Sequence, residues 1–508
     1  MTTPSSPSPQ PTWRLPLPAF IALMLGLLAL VIAMALLPAA ARVTVPAALV
    51  GGIGLFIAWR WPLAVLALML AFAAVYDGLV RYLSYVVELQ PALLRALSLW
   101  KEGGMLLLFA VVLAQHWSGR RRIRVRWYSF DLWLAALLLL SVLYIAVAAR
   151  PGIGLYGLRN YLAPLALFFL ARWMTYSRRE LAAALALLLA VGAGVALFGI
   201  YQARALDFPA MIKLGYVDET GTVPYAFRTA LRDGFPIPRA VSTTTGPNQF
   251  AVYLNYLILL CLFGMLYLRK TGVRVALAGL AVLYLATLLL TLSRGGLLML
   301  LVALLAWAVL LVERHGVRRT WRELTQNRLL LAGLVGLVVL TTVGIVQSGF
   351  ATRVVRGLTG RDPAADAHQS SMAYSLIFMA ENPLGIGLGM VGERALQFAT
   401  EAHVEHTEST FFQVGMELGL FGMALLLLAL LALLATLARM RRGMDARGDL
   451  PGRVLVELAL VLWVGAMADF VFTPLLQNLL AAGYLWWAAG VAFHEAGREM
   501  AWPGAVSP

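Results

Sequence analysis

The chain has 508 residues, of which 61% are hydrophobic and only 13% charged, with a mean hydropathy of +0.81 and a formal net charge of +15. So little charge excludes a soluble globular domain of this length, and the single cysteine, Cys261, excludes an intrachain disulfide. The basic surplus is split among short loops instead of gathered on one domain, which argues against nucleic acid as a partner.

Apolar runs of about 20 residues recur along the chain, long enough to cross ~30 Å of hydrocarbon as helices. The alternating pattern of a membrane barrel is absent. The expected fold is an all-α polytopic transmembrane bundle of about fourteen spans. Residues 1–16 form a leader expected to be disordered and cytoplasmic; its Met1–Thr12 part is rich in Pro, Ser and Thr and has no basic residue. N-terminal transmembrane helices fill 17–149, with spans near 17–38, 43–59, 61–80, 101–116 and 131–149. A core over 150–437 holds spans near 153–173, 180–203, 246–268, 274–292, 295–313, 329–348 and 410–437. A basic loop over 438–453 precedes C-terminal spans near 454–473 and 476–495 and a short tail to 508.

Four short loops are heavily basic: Arg120–Arg126, Arg269–Arg274, Arg314–Arg328 and Arg439–Arg453. The positive-inside rule puts all four in the cytoplasm, and an even number of spans separates each from the next. Both termini are then expected in the cytoplasm. The two long loops, 204–245 and 347–409, fall on the outer side. Long loops in a compact bundle are functional or disordered.

Within this frame a few polar residues stand out. Arg294 occupies a very short Ser293-Arg294-Gly295-Gly296 turn between two apolar runs. A charge at a bilayer centre costs at least ~2.5–3.5 kcal/mol, so this guanidinium belongs near a membrane face. It is either an interfacial anchor that snorkels to lipid phosphates or part of a site for an anionic group. The first outer loop ends in Arg239 and a run of hydroxyls before Gly246-Pro247-Asn248, where a helix N-terminus and a cation would make an anion site; simple capping is the alternative. The spaced glycines of Asn382–Gly392 lack the preceding strand and downstream acid of a nucleotide fingerprint and read as a tight, close-packed turn. His403, Glu405, His406 and Glu408 end the second loop. No further ligand cluster supports a metal there, and a general base at the membrane edge is the functional alternative to a solvated loop end.

Taken together, these pieces resemble the O-antigen ligase-related family of bacterial membrane glycosyltransferases, GT-C-type enzymes that include O-antigen ligases and surface-polysaccharide polymerases. The resemblance covers roughly residues 150–437. It rests on Leu158–Pro164 entering a span, Arg239 upstream of Gly246-Pro247-Asn248, the Thr291–Gly296 turn and Asn382–Gly387. It implies a multi-pass protein of the bacterial inner membrane with its active site facing the periplasm. Its donor would be a glycan on a polyprenyl (undecaprenyl) diphosphate and its acceptor a sugar hydroxyl of a second glycan or lipid-linked glycan, with no metal or other cofactor. It further implies that Arg239 and Arg294 bind the lipid diphosphate, with Arg159 a third candidate. The family's ligases place a histidine before a small polar residue, nine residues and Gly-x-x-Gly; here Glu408-Ser409 precedes Gly419-Leu420-Phe421-Gly422. The base is therefore Glu408, or His406 reaching in from two residues away, and the departure favours a polymerase-like member over a ligase. The alternative from another class is a lipid-linked oligosaccharide flippase, which would line a central cavity with charge and carry repeated halves.

Overall fold

In the computed structural model, residues 52–119, 126–218, 220–230, 236–326, 363–392, 394–400 and 403–498 are described. Two compact units divide the chain, Met1–Arg60 and Trp61–Pro508. In the first, residues 52–60 form a helical stretch. The second is a helical bundle and holds every candidate site residue.

The bundle runs through α1 (Pro62–Tyr85), α2 (Pro91–Ser98), α3 (Trp100–Trp117), α4 (Ser129–Val147), α5 (Pro151–Trp173), α6 (Arg178–Ala205) and the short α7 (Phe208–Lys213). A two-stranded ribbon follows, β1 (Arg228–Ala230) antiparallel to β2 (Pro236–Pro238), with Thr229 opposite Ile237. Then come α8 (Pro247–Tyr267), α9 (Thr271–Thr291), α10 (Arg294–Gln326), α11 (Pro363–Glu381), α12 (Thr410–Arg447), α13 (Leu450–Asp469) and α14 (Leu479–Arg498). Among the described residues, nine helices are long and apolar enough to cross a membrane. The expected spans at 101–116 and 476–495 are helices too, α3 and α14, though less uniformly apolar. The expected spans at 17–38 and 329–348, and most of 43–59, lie outside the described residues. The chain is an all-α polytopic membrane protein.

Helix starts follow local chemistry. Proline opens α1, α5 and α8, where the missing N–H costs nothing. Ser177 and Glu180 cap α6 reciprocally, at 3.1 and 2.6 Å. α8 and α14 are the most enclosed elements; α14 packs along α5, α8 along α9, and α10 along α13. Around them a buried aromatic cluster includes Phe130, Phe168, Trp463 and Trp486.

Charge separates by end. Arg172 meets Asp131 at 2.6 Å, and Arg178 meets Asp449 at 2.7 Å and Glu495 at 2.9 Å. Arg441 pairs with Glu313. These pairs join the start of α4, the end of α5, the start of α6 and the ends of α12 and α14, one end of an up-and-down bundle. The polar residues singled out in the sequence gather at the opposite end, where α5, α8, α10, α12 and α14 begin.

Candidate functional site

Two turns build the heart of the site. α9 stops at Leu292, which adopts left-handed backbone (φ 53°), and α10 restarts at Arg294. Only three non-glycine residues among those described have positive φ, and two of them, Leu292 and Ser242, flank this corner. Such residues cost about 1–3 kcal/mol each and persist only where the surroundings hold them. Ser242 is held by Gln202, whose Oε1 accepts from its backbone N–H at 2.6 Å, and by its own hydroxyl donating to the Val195 carbonyl at 2.6 Å.

Arg239 spans the two turns. Its Nε donates to the Thr291 carbonyl at 2.8 Å, Nη1 to the Ala226 carbonyl at 3.0 Å and Nη2 to Asn248 Oδ1 at 3.3 Å. The Ser293 hydroxyl lies 3.0 Å from the same Asn248 oxygen. Thus Arg239, Asn248 at the start of α8, and the Ser293-Arg294 turn form one cluster. Arg294 is half-buried beside it. The glycines of the turn have steric reasons: a Cβ on Gly295 would lie 2.0 Å from Asp469 Oδ1, and one on Gly296 2.4 Å from the Ala251 side chain.

The segment between α13 and α14 ties the second long loop to this corner. The Thr410 backbone N–H donates to the Phe470 carbonyl at 2.8 Å, the Ser409 hydroxyl to the same carbonyl at 3.1 Å, and the Thr410 hydroxyl to the Thr473 carbonyl at 2.7 Å. The Glu408-Ser409-Thr410 stretch therefore docks on residues 470–473, directly after the Asp469 that abuts Gly295. From Glu405 to Ser409 burial alternates, so that Glu405, Thr407 and Ser409 are buried while His406 and Glu408 are exposed. This is the two-residue period of extended chain. His406 and Glu408 therefore share one face. Glu405 faces the other way. It accepts from the Tyr374 hydroxyl at 2.6 Å and pairs with His403. Donating that hydrogen bond to the carboxylate, with burial second, pushes the Tyr374 phenol up to about 12, so it remains a donor throughout the neutral range.

The glycine-spaced stretch lies between these parts. Gly385, Gly387, Gly389 and Gly392 all have positive φ. Gly389 backs onto Gly157 of α5 so closely that a Cβ at 157 would sit 2.4 Å from the Gly389 nitrogen. Backbone bonds from Ile386 N and Gly387 N to the Met416 and Glu417 carbonyls, both 2.9 Å, lay the turn along α12 where Gly419 breaks the helix (φ 74°, ψ −179°). It is a close-packed turn, as its composition indicates.

Arg159 is held elsewhere. Its Nε and Nη2 both approach Glu102 Oε1 at 2.7 Å, and it faces a cavity whose wall includes Asn478. The structure brings together Arg239, the Arg294 turn and the Glu408 segment, and leaves Arg159 on a separate wall. Sequence reasoning missed the connecting groups. Glu417, fully buried in α12, accepts from the Tyr161 hydroxyl at 2.7 Å and from Gly389 N at 2.9 Å. Asn478 donates to Thr245 at 3.1 Å. A lone glutamate or asparagine inside an apolar run is the available signal, because such groups are expensive in a membrane and need partners.

A search of the curated proteins finds no match to the chain. The family model described as O-antigen ligase matches residues 279–427. That segment contains the Ser293-Arg294-Gly295-Gly296 turn, the glycine-spaced stretch, Glu408-Ser409 and Gly419. Arg239 lies outside it yet is bonded to it through Thr291. On a polytopic helical bundle, the segment that builds these turns is therefore similar to the O-antigen ligase family of membrane enzymes.

Proposed function

We propose that this enzyme moves a glycan from a polyprenyl diphosphate to a sugar hydroxyl at the periplasmic face of the inner membrane, as a polymerase-like member of its family. The observation that carries the reading is Arg239 docked by all three guanidinium nitrogens against the Thr291–Ser293 turn, beside Arg294. An anchored guanidinium is already ordered when charge develops on a leaving diphosphate, and such preorganised donors are the largest single contribution in many enzymes. Arginine also suits a diphosphate because it binds in bidentate fashion.

In the proposed step the acceptor oxygen forms a bond to the anomeric carbon as the bond from that carbon to the diphosphate oxygen breaks, with inversion. The electron pair leaves with the polyprenyl diphosphate, and the acceptor proton passes to the base. Glu408 is favoured as that base over His406. Both are on the exposed face, but Glu408 adjoins Ser409, which is fixed by Phe470 and caps α12 at Phe412 N.

The test is turnover of a synthetic polyprenyl-diphosphate glycan by the purified protein in lipid nanodiscs, read as release of polyprenyl diphosphate. Arg239→Gln and Arg294→Gln are expected to abolish release. Full turnover by both variants, at wild-type protein levels and thermal stability, would reduce these residues to interfacial anchors and end the reading.

A further inference from the structure

Away from the Arg239 corner, the outer ends of α1, α3, α5 and α14 enclose a cavity of about 210 Å³. At ~30 Å³ per water it would hold about seven waters, or a single sugar ring in their place. Three aromatic residues line it: Tyr76, Trp100 and Tyr156. Trp100 and Tyr76 are 5.5 Å apart between ring centres, and the Arg159 guanidinium lies 5.7 Å from the Tyr156 ring. Apolar faces interrupted by a few fixed polar groups are the general make-up of a small-molecule site, and ring faces suit the C–H faces of a pyranose.

The polar lining has a definite charge. Lys101, Arg159, Arg394 and Asp77 all line the cavity, and Glu102 stands behind Arg159. Three cations against two carboxylates leave one formal positive charge. Arg81 does not line the cavity; it donates to the Thr244 carbonyl at 2.7 Å and lies over the Tyr216 ring. Glu102 is already committed to Arg159, with Lys101 only at 3.9 Å. Arg394 touches a neutral amide, Asn160 Oδ1 at 3.3 Å, and has no carboxylate at ion-pair distance among the described residues. The Trp100 indole N–H is buried without an acceptor among them. A site with one uncompensated cation suits one carboxylate. A diphosphate, carrying two or more negative charges, fits the Arg239 corner better.

The two places share a wall. Asn478 lines the cavity and donates to Thr245, three residues before the Asn248 that binds Arg239. A sugar in the cavity would therefore lie next to the glycan being transferred.

We propose that this cavity is an acceptor subsite that takes one carboxylate-bearing sugar residue, a uronic acid or its like, with Arg394 and Lys101 as its counter-charge. The assignment of an acceptor role rests on the glycosyl-transfer reading above. The test measures binding to the full-length protein in nanodiscs, by saturation-transfer NMR, of methyl glucuronide and methyl galacturonide against methyl glucoside. At least one uronide is expected to bind tenfold or more tightly than the neutral glycoside. Arg394→Gln and Lys101→Met, each checked for an unchanged melting temperature, are expected to lose that preference. Arg239→Gln is expected to keep it while transfer is lost, which separates this subsite from the donor reading. Equal binding of neutral and acidic glycosides, or an unchanged preference in both cavity variants, overturns the proposal. So does displacement of the uronide from Arg239→Gln protein by an equal concentration of inorganic pyrophosphate, since the cavity would then be a phosphate site. If the preference holds but Arg239→Gln still transfers, the donor assignment fails and the subsite stands.

Discussion

At the scale of single residues, the site depends on groups that act through shape as much as charge. Replacing Arg239 by lysine keeps the charge but loses the fork that reaches Thr291, Ala226 and Asn248. Each hydrogen bond to a charged group contributes about 1.5–3 kcal/mol. Loss of two such bonds predicts a fall in transfer of ~10²-fold or more for Arg239→Lys, measured as initial rate at equal protein. For the base, Glu408→Gln is expected to slow transfer by ~10²–10⁴-fold at saturating donor while leaving donor binding unchanged, because a base acts mainly in the transition state. His406→Asn is expected to have little effect; the reverse pattern would assign the proton to His406. Glu417 plays a different part. Its removal orphans the Tyr161 hydroxyl and the Gly389 N–H, at about 1–3 kcal/mol each. Glu417→Leu should therefore lower the melting temperature clearly more than Tyr161→Phe does.

At the scale of elements, the break in α12 is the feature most open to test. Gly419 has a backbone conformation that is essentially glycine-only, and a Cβ there would lie 2.5 Å from the Pro383 carbonyl oxygen. Gly419→Ala is expected to destabilise the protein and lower transfer together, since the glycine-spaced turn rests on that break. Gly443, in the same helix, has nothing within 4 Å of where a Cβ would sit, so Gly443→Ala should be neutral or stabilising by up to about 1 kcal/mol. Helix existence is legible in the sequence because long apolar runs have few alternatives in a bilayer. The Ser293-Arg294-Gly295 turn and the tight turn over Asn382–Gly392 are legible for a related reason: charge and glycine are conspicuous against such a background. Partnership is not legible. Thr245 and Asn478 are 233 residues apart, and Tyr161 and Glu417 are 256 apart. Nothing local to either member of such a pair points to the other. Lys101 and Arg394 escape notice for the same reason, since each looks like an ordinary charge at the end of a span or in a loop.

At the scale of the whole molecule, the Arg172–Asp131, Arg178–Asp449 and Arg441–Glu313 pairs lie at one end and the candidate site at the other. Charge bias orients such a bundle, so labelling from outside tests the assignment directly. In a Cys261→Ala background, Tyr225→Cys, in the exposed part of the first long loop, should react with an impermeant maleimide in intact cells. Arg447→Cys, at the ion-paired end, should react only after permeabilisation. Labelling of the second and not the first would invert the bundle and remove the periplasmic site with it.

The docking of Thr410 and Gly295 on the 469–473 turn also sets an order of events during synthesis. The chain emerges from its N-terminus, so Arg239 and Arg294 are inserted long before the last hairpin exists. About 180 residues separate Arg294 from Asn478, roughly 10–40 s of translation at ~5–20 residues per second. Until then the corner has its guanidiniums but not its floor. On the proposed reading the chain would thus be inert while nascent, and a polypeptide released before residue 470 would be a threaded membrane protein that never becomes a catalyst.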